Sequence, residues 1–221
     1  MAARMQASSP DLSAERAFWS AGLCVVAGVD EVGRGAMAGP LVAAAVVLPP
    51  SIDGSGEEAA RALAGVRDSK LLTAEARCRL LPVICGIATA AAVGVVEAAE
   101  LDEIGVGPAN RLAMQRAVLA LPLQLDALLI DATTLDLELP QVGLIDGDAR
   151  CLSIAAASIV AKVTRDRFMI ECHDRDPRFG FASHKGYCTE DHLAALAQHG
   201  PCHLHRRSFA PVGRVCNRVA P

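Results

Sequence analysis

Acidic side chains stand at the ends of three apolar segments of the chain. The segments are residues 23–29, 126–131 and 141–146, and the acids are Asp30, Glu31, Asp131, Asp146 and Asp148. Carboxylate oxygens are the ligands that hard divalent cations such as Mg²⁺ and Mn²⁺ prefer in proteins. Several anions beside a dry core also need cations in order to stay ionised. The pattern therefore predicts a divalent-metal site, provided that folding brings the three segment ends together.

Each acid by itself has a simpler interpretation as a helix cap or a solvated turn residue, since Asp is common there for reasons unrelated to chemistry. Their repetition at strand ends favours a shared site, because sites in open α/β sheets form there and neighbouring strands lie about 4.8 Å apart. Adjacent strand residues point to opposite faces. We therefore expect the first strand to end or bulge at Asp30, so that Asp30 and Glu31 reach one site; Gly33 and Gly35 make such a break feasible.

Five apolar segments predict the strands that must position these acids. The strands are expected at residues 23–29, 40–49, within 89–96, 126–131 and 141–146. Pro108 is expected to open a helix that runs to about Ala120, and Ser153 to cap a long helix that ends near Pro177. The uncharged run 80–96 is interpreted as a turn followed by a buried strand. This order of elements predicts an α/β fold, a mixed sheet with helices on its faces.

The outer parts of the chain show weaker patterns. Residues 1–22 predict a short helix and lead-in that starts near Asp11, and the segment from Ser51 predicts a surface loop. The last 45 residues predict a mixed, partly helical segment. No Asp or Glu follows His192, whereas four arginines do, so this end is expected to face phosphates. The arginines are Arg206, Arg207, Arg214 and Arg218.

Composition bounds the class of protein. A chain of 221 residues suits one domain, and a net charge of −4 argues against an indiscriminate basic coat for polyanions. The eight cysteines contain no CxxC pair, which favours unpaired thiols in a reducing cytosol. The N-terminal residues lack the apolar centre of a signal peptide, and the longest uncharged run is at the lower limit for a membrane span. The sequence therefore predicts a cytoplasmic protein without a membrane partner.

Four motifs in the chain resemble the signatures of type 2 ribonuclease H, the ribonuclease HII family, in the family's order. They are "GVDEVGRGAMAGPLVAAAVVL" from Gly28, "RDSKLLT" at 67–73, "SIAAASIVAKVTRDR" at 153–167 and "HKGYCTEDHLAAL…HGPCHLHRRSF" from His184. The resemblance covers nearly the whole length. It implies the ribonuclease H fold, five mixed strands with helices on both faces, and a small helical C-terminal part.

The resemblance further implies an endonuclease that cuts RNA paired to DNA and incises 5′ of single ribonucleotides embedded in duplex DNA. Carried over by position, the catalytic, metal-binding carboxylates are Asp30, Glu31, Asp131 and Asp148. Asp146 is a rival to Asp148 that lies two residues earlier, on the same strand face, and is taken as a nearby charge. Two Mg²⁺ or Mn²⁺ ions about 4 Å apart would bridge the scissile phosphate, and the products carry 5′-phosphate and 3′-hydroxyl ends.

The resemblance also implies which residues contact the nucleic acid. They are Gly33, Arg34 and Gly35 of a ribose-reading loop, with Ser69, Lys70, Lys162 and Tyr187. Backbone groups can sense a 2′-hydroxyl only at very close range, which glycine permits. The family's tyrosine at the position of Tyr187 stacks on the sugar of the following deoxynucleotide, where a 2′-hydroxyl would collide with the ring.

The other contacts keep alternatives. Ser69 and Lys70 look like contacts to backbone phosphates, which position a duplex without reading its sequence. Ser158 and Lys162 share a helix face that either looks toward the site or belongs to an ordinary amphipathic helix. The family's asparagine after "ELDEI" is replaced by Gly105, and Asn110 is a substitute only if the local helix shifts.

The predicted organisation is a lead-in at 1–22, a ribonuclease H-like core at 23–176 and a C-terminal substrate-binding segment at 177–221. The expected partners are RNA/DNA hybrids and ribonucleotide-containing duplex DNA, and the expected state is a monomer with no identified protein partner. The alternatives are another divalent-metal-dependent nuclease or phosphodiesterase, or a non-catalytic nucleic-acid-binding module. Loss of activity in a chelator separates a nuclease from a binder.

Overall fold

The structure, a computed structural model, describes residues 9–53 and 61–219. Within these ranges, five strands form one mixed sheet in the order β3-β2-β1-β4-β5. The strands are β1 (Val26–Val32), β2 (Leu41–Val47), β3 (Ala90–Val96), β4 (Ala127–Asp131) and β5 (Gln141–Leu144). β2 pairs antiparallel with β1 and β3, whereas β1–β4 and β4–β5 are parallel. The five-stranded mixed sheet predicted from the sequence is confirmed.

Helices surround the sheet and form the C-terminal part. They are α1 (Ser13–Ser20), α2 (Ala74–Ile87), α3 (Ala98–Ile104), α4 (Val106–Leu119), α5 (Gly147–Arg150), α6 (Leu152–Arg175), α7 (Phe181–His184), α8 (Glu190–His199) and α9 (Ala210–Val219). Short 3₁₀ turns occupy Pro50–Asp53, Ser69–Leu71 and Pro177–Phe179. None of the helices in the described ranges has both the length and the apolar character to cross a bilayer.

Strand β2 lies at the centre of two hydrophobic layers because its alternate side chains point to opposite faces. Leu41 and Ala43 pack with α4 on one face, while Val42 and Ala44 pack with α6 on the other. All seven residues of β2 are buried, as its continuous apolar run predicts. A Cβ built on Gly28 of β1 would lie 2.3 Å from the Ser153 carbonyl carbon, so glycine allows α6 to approach β1 closely.

The first strand is shifted from its predicted position. The sequence predicts residues 23–29, but β1 runs from Val26 to Val32 and pairs with β2 up to Val32 and Val42. The backbone N–H groups of Cys24 and Val25 instead donate to the Asp126 carboxylate, at 2.9 and 2.8 Å. This side chain ends the ladder at its N-terminal side, and the acids at 30 and 31 therefore lie inside the strand.

The interpretation of residues 80–96 as a turn and a buried strand is wrong in two respects. Helix α2 extends to Ile87 despite Pro82, because the Thr73 hydroxyl caps the helix at the Ala76 N–H and Ile84 is buried against the α6 layer. Strand β3 begins after this helix, at the sheet edge, and its side chains alternate between covered and exposed positions. Proline costs one hydrogen bond in a helix, but here the cap and the packing outweigh that loss.

The long helix α6 is capped by a residue from another element. Ser153 was predicted as the cap, but α6 begins at Leu152, and the fully buried Glu15 of α1 accepts the Ser153 N–H at 2.8 Å. Helix α4 begins two residues before Pro108. Residues 1–8 of the predicted lead-in and residues 54–60 of the predicted loop lie outside the described ranges. The division of the chain into lead-in, core and substrate-binding segment stays a prediction.

Candidate active site

Three carboxylates meet where β1 and β4 diverge. The last paired residues of these parallel strands are Val29 and Ile130, and Asp30 and Asp131 follow one position later. One oxygen from each of Asp30, Glu31 and Asp131 lies within 4.8 Å of the other two. In residues 9–53 and 61–219, no other group of three or more acid, histidine or cysteine side chains brings its ligand atoms so close. Folding therefore assembles two of the three predicted segment ends directly.

The route by which Asp30 and Glu31 reach one site differs from the prediction. Strand β1 neither ends nor bulges at Asp30, because its register with β2 continues through Glu31 to Val32. Instead, the pairing of β1 with β4 stops at Val29 and Ile130, one residue before Asp30 and Asp131. The Asp30 carboxylate also accepts the Glu31 backbone N–H at 2.7 Å. The end of the β1–β4 pairing, rather than a break in β1, therefore precedes the two acids.

The electrostatics of this cluster favour a cation. Burial, and then the charges of Glu31, Asp131 and Asp148, raise the pKa of Asp30 well above its ordinary value. Burial and the Asp131 charge likewise raise the pKa of Glu31. Acids with raised pKa values are common at functional sites because such sites concentrate like charges in low-dielectric surroundings. Hard oxygen donors, short mutual distances and uncompensated negative charge all fit a divalent cation.

Asp148 joins the site from the short helix α5. It is buried, and the Lys70 Nζ donates to its Oδ2 at 3.3 Å. Burial raises its pKa, and the Lys70 charge opposes this rise. Asp146 is exposed in a left-handed turn with φ of 53°, so the expectation that it shares a strand face with Asp148 is wrong. The reason is that β5 ends at Leu144, before either acid.

Lys70 and Ser69 occupy a 3₁₀ turn at the rim of the site. Although burial alone would lower it, the charges of Asp148 and Asp68 raise the pKa of Lys70 to about 12. The buried Ser69 hydroxyl accepts from the Ser158 hydroxyl at 2.7 Å, which ties the turn to α6. Arg77 of α2, which sequence reasoning missed, donates to the Ser69 carbonyl at 2.8 Å. The predicted face of Ser158 and Lys162 therefore looks toward the site.

With the exception of Asp148, every predicted site residue lines one cavity of about 510 Å³. Tyr187 and Lys162 line the same cavity as the acids, and the Lys162 Nζ lies 5.7 Å from the centre of the Tyr187 ring. Lys162 also donates to Asp166 at 2.7 Å. The cavity thus joins acidic, basic, aromatic and backbone groups in one space, although they come from separate parts of the chain.

The two glycines of the predicted ribose-reading loop differ in their surroundings. Gly33 has φ of +90°, and a Cβ there would lie 2.3 Å from the Arg165 Nε. Gly35 has no such backbone requirement, and a Cβ there would meet no atom within 4 Å. The fold therefore needs glycine at 33, whereas position 35 opens onto free space at the cavity wall.

Two buried arginines beside this loop were not recognised from the sequence. Arg165 and Arg206 are both 0% exposed, and Arg206 was expected in a basic surface facing phosphates. That expectation is wrong for Arg206, because its guanidinium donates to backbone carbonyls in the interior. The position of Arg206 in the sequence gave no indication that it would be buried, since an arginine in a basic stretch normally faces solvent.

Asn110, which lies on α4, is close to Glu31 and Asp131. The helix shift that the sequence analysis required for this is not needed. Asn110 is buried and lines a second cavity of about 230 Å³ together with Glu31, Asp131 and Arg111. A hydrogen bond from its side chain lowers the pKa of Glu31, against the larger effect of burial. Gly105 instead forms the bend between α3 and α4, with φ of 84°. The second cavity therefore extends the site beyond Glu31 toward α4.

Comparisons with known proteins agree with the fold. The sequence model of the Ribonuclease HII family matches residues 27–212. Ribonuclease HII of Chloroflexus aurantiacus is 53% identical over 204 residues, which cover 92% of this chain and 94% of the relative. Ribonuclease HII of Roseiflexus castenholzii is 51% identical over 209 residues, covering 94% and 92%.

A solved structure is similar over nearly the same length. The crystal structure of the ribonuclease H2 from Pyrococcus horikoshii OT3 superposes with a TM-score of 0.73 at 27% identity, and the match covers 87% of this chain and 97% of that one. Fold, family model and relatives point the same way. The chain therefore belongs to the ribonuclease HII family of metal-dependent endoribonucleases, which act on RNA/DNA hybrids.

Proposed function

We propose that this enzyme, besides cutting the RNA strand of hybrids, incises duplex DNA 5′ of a single embedded ribonucleotide and leaves 5′-phosphate and 3′-hydroxyl ends. The observation that carries the proposal is the shared cavity. Metal-ligating acids and a backbone loop open to close approach line the same space. A site of this kind can couple hydrolysis of a phosphodiester to recognition of the adjacent sugar.

In this proposal Asp30, Glu31, Asp131 and Asp148 hold two Mg²⁺ or Mn²⁺ ions. When bound, such ions supply activation of the attacking water and stabilisation of the leaving 3′ oxygen. Asp30, Glu31 and Asp131 contribute oxygens from strands and Asp148 from α5, and the mutual repulsion of these acids without metal favours cation binding. Lys70 holds Asp148 in place through the contact at 3.3 Å, and it also lines the cavity, where its ammonium group is available to a backbone phosphate.

The loop and the tyrosine provide the sugar recognition. Gly33, Arg34 and Gly35 present backbone groups to the 2′-hydroxyl of the ribonucleotide, and the open space at Gly35 lets the sugar approach. Tyr187, which lines the same cavity, stacks on the following deoxyribose. A 2′-hydroxyl at that second position would collide with the ring. The two contacts together select an RNA-to-DNA junction.

Three polar side chains position the strand without reading its sequence. Ser69, Lys70 and Lys162 all line the cavity. Contacts of this kind go to phosphate oxygens and fix register. Their salt bridges to acids keep the basic groups ordered before substrate binds.

The test is a cleavage assay on four duplexes of one sequence: DNA with one ribonucleotide, RNA/DNA hybrid, all-DNA and all-RNA. We expect Mg²⁺- or Mn²⁺-dependent cuts in the first two, 5′ of the ribonucleotide in the first, and none in chelator. Asp30→Asn should abolish cleavage and keep the fold, with exposed Asp146→Asn as the control. Cleavage of the hybrid without incision at the single ribonucleotide would refute the junction proposal.

A further inference from the structure

The Arg206 side chain connects the C-terminal segment to the glycine loop from inside the protein. Its Nη1 donates to the carbonyls of Gly33 at 2.7 Å and Arg34 at 3.2 Å, and its Nε donates to the Gly39 carbonyl at 2.9 Å. No acid within ion-pair distance accompanies it in the described part of the chain. Burial and the nearby Arg165 charge lower the pKa of Arg206 to about 10, so it remains charged at neutral pH.

Arg165 holds the other end of the same segment. Its three guanidinium nitrogens donate to the carbonyls of Ala38, Pro40 and Lys185 at 2.9–3.0 Å. The guanidinium carbon also lies 5.4 Å from the centre of the Tyr187 ring. Arg165 thus anchors the strand entry and the tyrosine, and this leaves Arg206 as the contact to the two peptide groups that face the cavity.

The direction of these carbonyls fixes the direction of the neighbouring N–H groups. In a planar trans peptide, the carbonyl of one residue and the N–H of the next point in opposite directions. The carbonyls of Gly33 and Arg34 point at Arg206, so the N–H groups of Arg34 and Gly35 point away from it. Neither N–H donates to an acceptor anywhere in residues 9–53 and 61–219. Both residues line the acidic cavity.

We propose that Arg206 is a positioning residue for sugar recognition, which turns the Arg34 and Gly35 N–H groups into the cavity so that they bind the ribose 2′-hydroxyl oxygen. This inference rests on the proposed function and deepens it. Two adjacent donors suit an oxygen with two lone pairs. Their position beside Glu31 and Asp30 favours a neutral hydroxyl over an anion, because the acids repel negative charge. The open space at Gly35 admits the sugar.

The first test compares Arg206→Lys with Arg79→Lys, a charge-matched control at an exposed arginine of α2 that does not line the cavity. Lysine keeps the charge but loses the planar fork that holds two carbonyls at once. Affinities are measured without divalent ions for two duplexes, one all-DNA and one with a single ribonucleotide. We expect Arg206→Lys to lower the ribonucleotide preference at least fivefold, whereas Arg79→Lys should keep it. In steady-state assays with Mg²⁺, Arg206→Lys should raise KM more than it lowers kcat, and Arg79→Lys should change neither.

A folded Arg206→Lys protein with the wild-type preference would overturn the assignment. If this variant does not fold, amide hydrogen exchange of the wild type decides. The Arg34 and Gly35 amides should exchange freely in the unbound protein and become protected by the ribonucleotide duplex but not by the all-DNA duplex; equal protection by both would reject the proposal. A wild type that does not cut the ribonucleotide duplex would instead count against the proposed function itself.

Discussion

Single residues carry the finest information in this site, and the two loop glycines illustrate it. They look equivalent in the sequence, yet only Gly33 has a positive φ and a crowded Cβ position. Gly35 has room for a side chain in the free protein. The fold therefore requires glycine at 33, whereas we propose that glycine at 35 is required by the sugar that approaches it. The pair separates a structural requirement from a functional one.

We expect Gly35→Ala to fold with an unchanged midpoint of thermal unfolding but to lose at least tenfold in kcat/KM on single-ribonucleotide DNA, because the methyl group occupies the space of the sugar. Gly33→Ala should lower the free energy of unfolding by about 1–3 kcal/mol through backbone strain and the clash with Arg165. Calorimetry and steady-state kinetics check both. Full activity of Gly35→Ala would contradict our account of the loop.

The raised pKa of Asp30 predicts that the substitution which abolishes activity also stabilises the metal-free protein. Because the pKa of Asp30 is raised in the folded state, the native protein binds more protons than the unfolded chain above pH 4, so stability falls as pH rises through that window. Asp30→Asn removes the buried charge and should stabilise the metal-free protein at pH 7 by about 1–3 kcal/mol. Denaturant unfolding in chelator measures this. A variant no more stable than wild type at pH 7 would show that the repulsion is relieved by other means.

Residue chemistry could be predicted for some groups and not for others. The acids Asp30, Glu31 and Asp131 could be expected to meet, because carboxylates after buried strands share an edge of the sheet. The buried role of Arg206 could not, because its partners are backbone carbonyls that no side-chain pattern reveals. Asp146 and Asp148 lie two residues apart, and the sequence does not reveal that β5 ends at Leu144, before either acid. After this end the chain leaves Asp146 exposed and buries Asp148.

At the scale of elements, two histidines join α8 to the segment that carries Arg206. The His192 Nδ1 lies 2.9 Å from the Tyr187 carbonyl, so this nitrogen donates, and its Nε2 accepts from the His205 Nε2 at 3.1 Å. The His205 Nδ1 accepts the Cys202 N–H at 3.0 Å. Both rings must be neutral for this chain of hydrogen bonds to exist. The elements around Tyr187 are therefore linked through uncharged imidazoles.

This link predicts acid sensitivity. Burial lowers the pKa values of His192 and His205 to about 4, below the ordinary 6.5, so the unfolded chain binds more protons between these values. Stability is complete above pH 6.5 and is lost as pH falls toward 4, by about 3 kcal/mol at most for each ring. Between pH 6.5 and pH 4, the free energy of unfolding should depend less on pH in His192→Asn than in the wild type. The exposed control His203→Gln should keep the wild-type pH dependence. Imidazolium signals from either ring in NMR spectra at pH 6 would contradict it.

The elements themselves were predictable where one signal dominates. Strand β2 is buried on both faces and reads as a continuous apolar run. The sequence does not predict α2 because Pro82 and Gly86 are unfavourable inside a helix, and its packing on α6 explains why it forms. The cap of α6 comes from Glu15, more than a hundred residues earlier, which no local pattern indicates. Local signals set most elements, and distant contacts set their ends.

For the whole molecule, metal binding should be a source of stability. A ligand that binds only the native state at a hundred times its Kd adds about 2.7 kcal/mol. For a chain of this size we expect Mg²⁺ or Mn²⁺ to raise the unfolding midpoint by roughly 5–10 °C. Asp131→Asn should abolish most of this rise, whereas exposed Asp146→Asn should keep it. An equal metal-induced rise in wild type and Asp131→Asn would place the ions elsewhere.

The bond from Arg206 to Gly33 spans 173 positions of the chain. During translation the acids and the loop therefore leave the ribosome well before Arg206, the residue that we propose orients the loop. A growing or truncated chain that lacks residue 206 thus contains the acids but not the arginine that would orient the N–H groups of Arg34 and Gly35. Under our proposal, sugar discrimination is established only after Arg206 has been synthesised, so a chain truncated before this residue would lack the feature that directs the enzyme to its proper nucleotides.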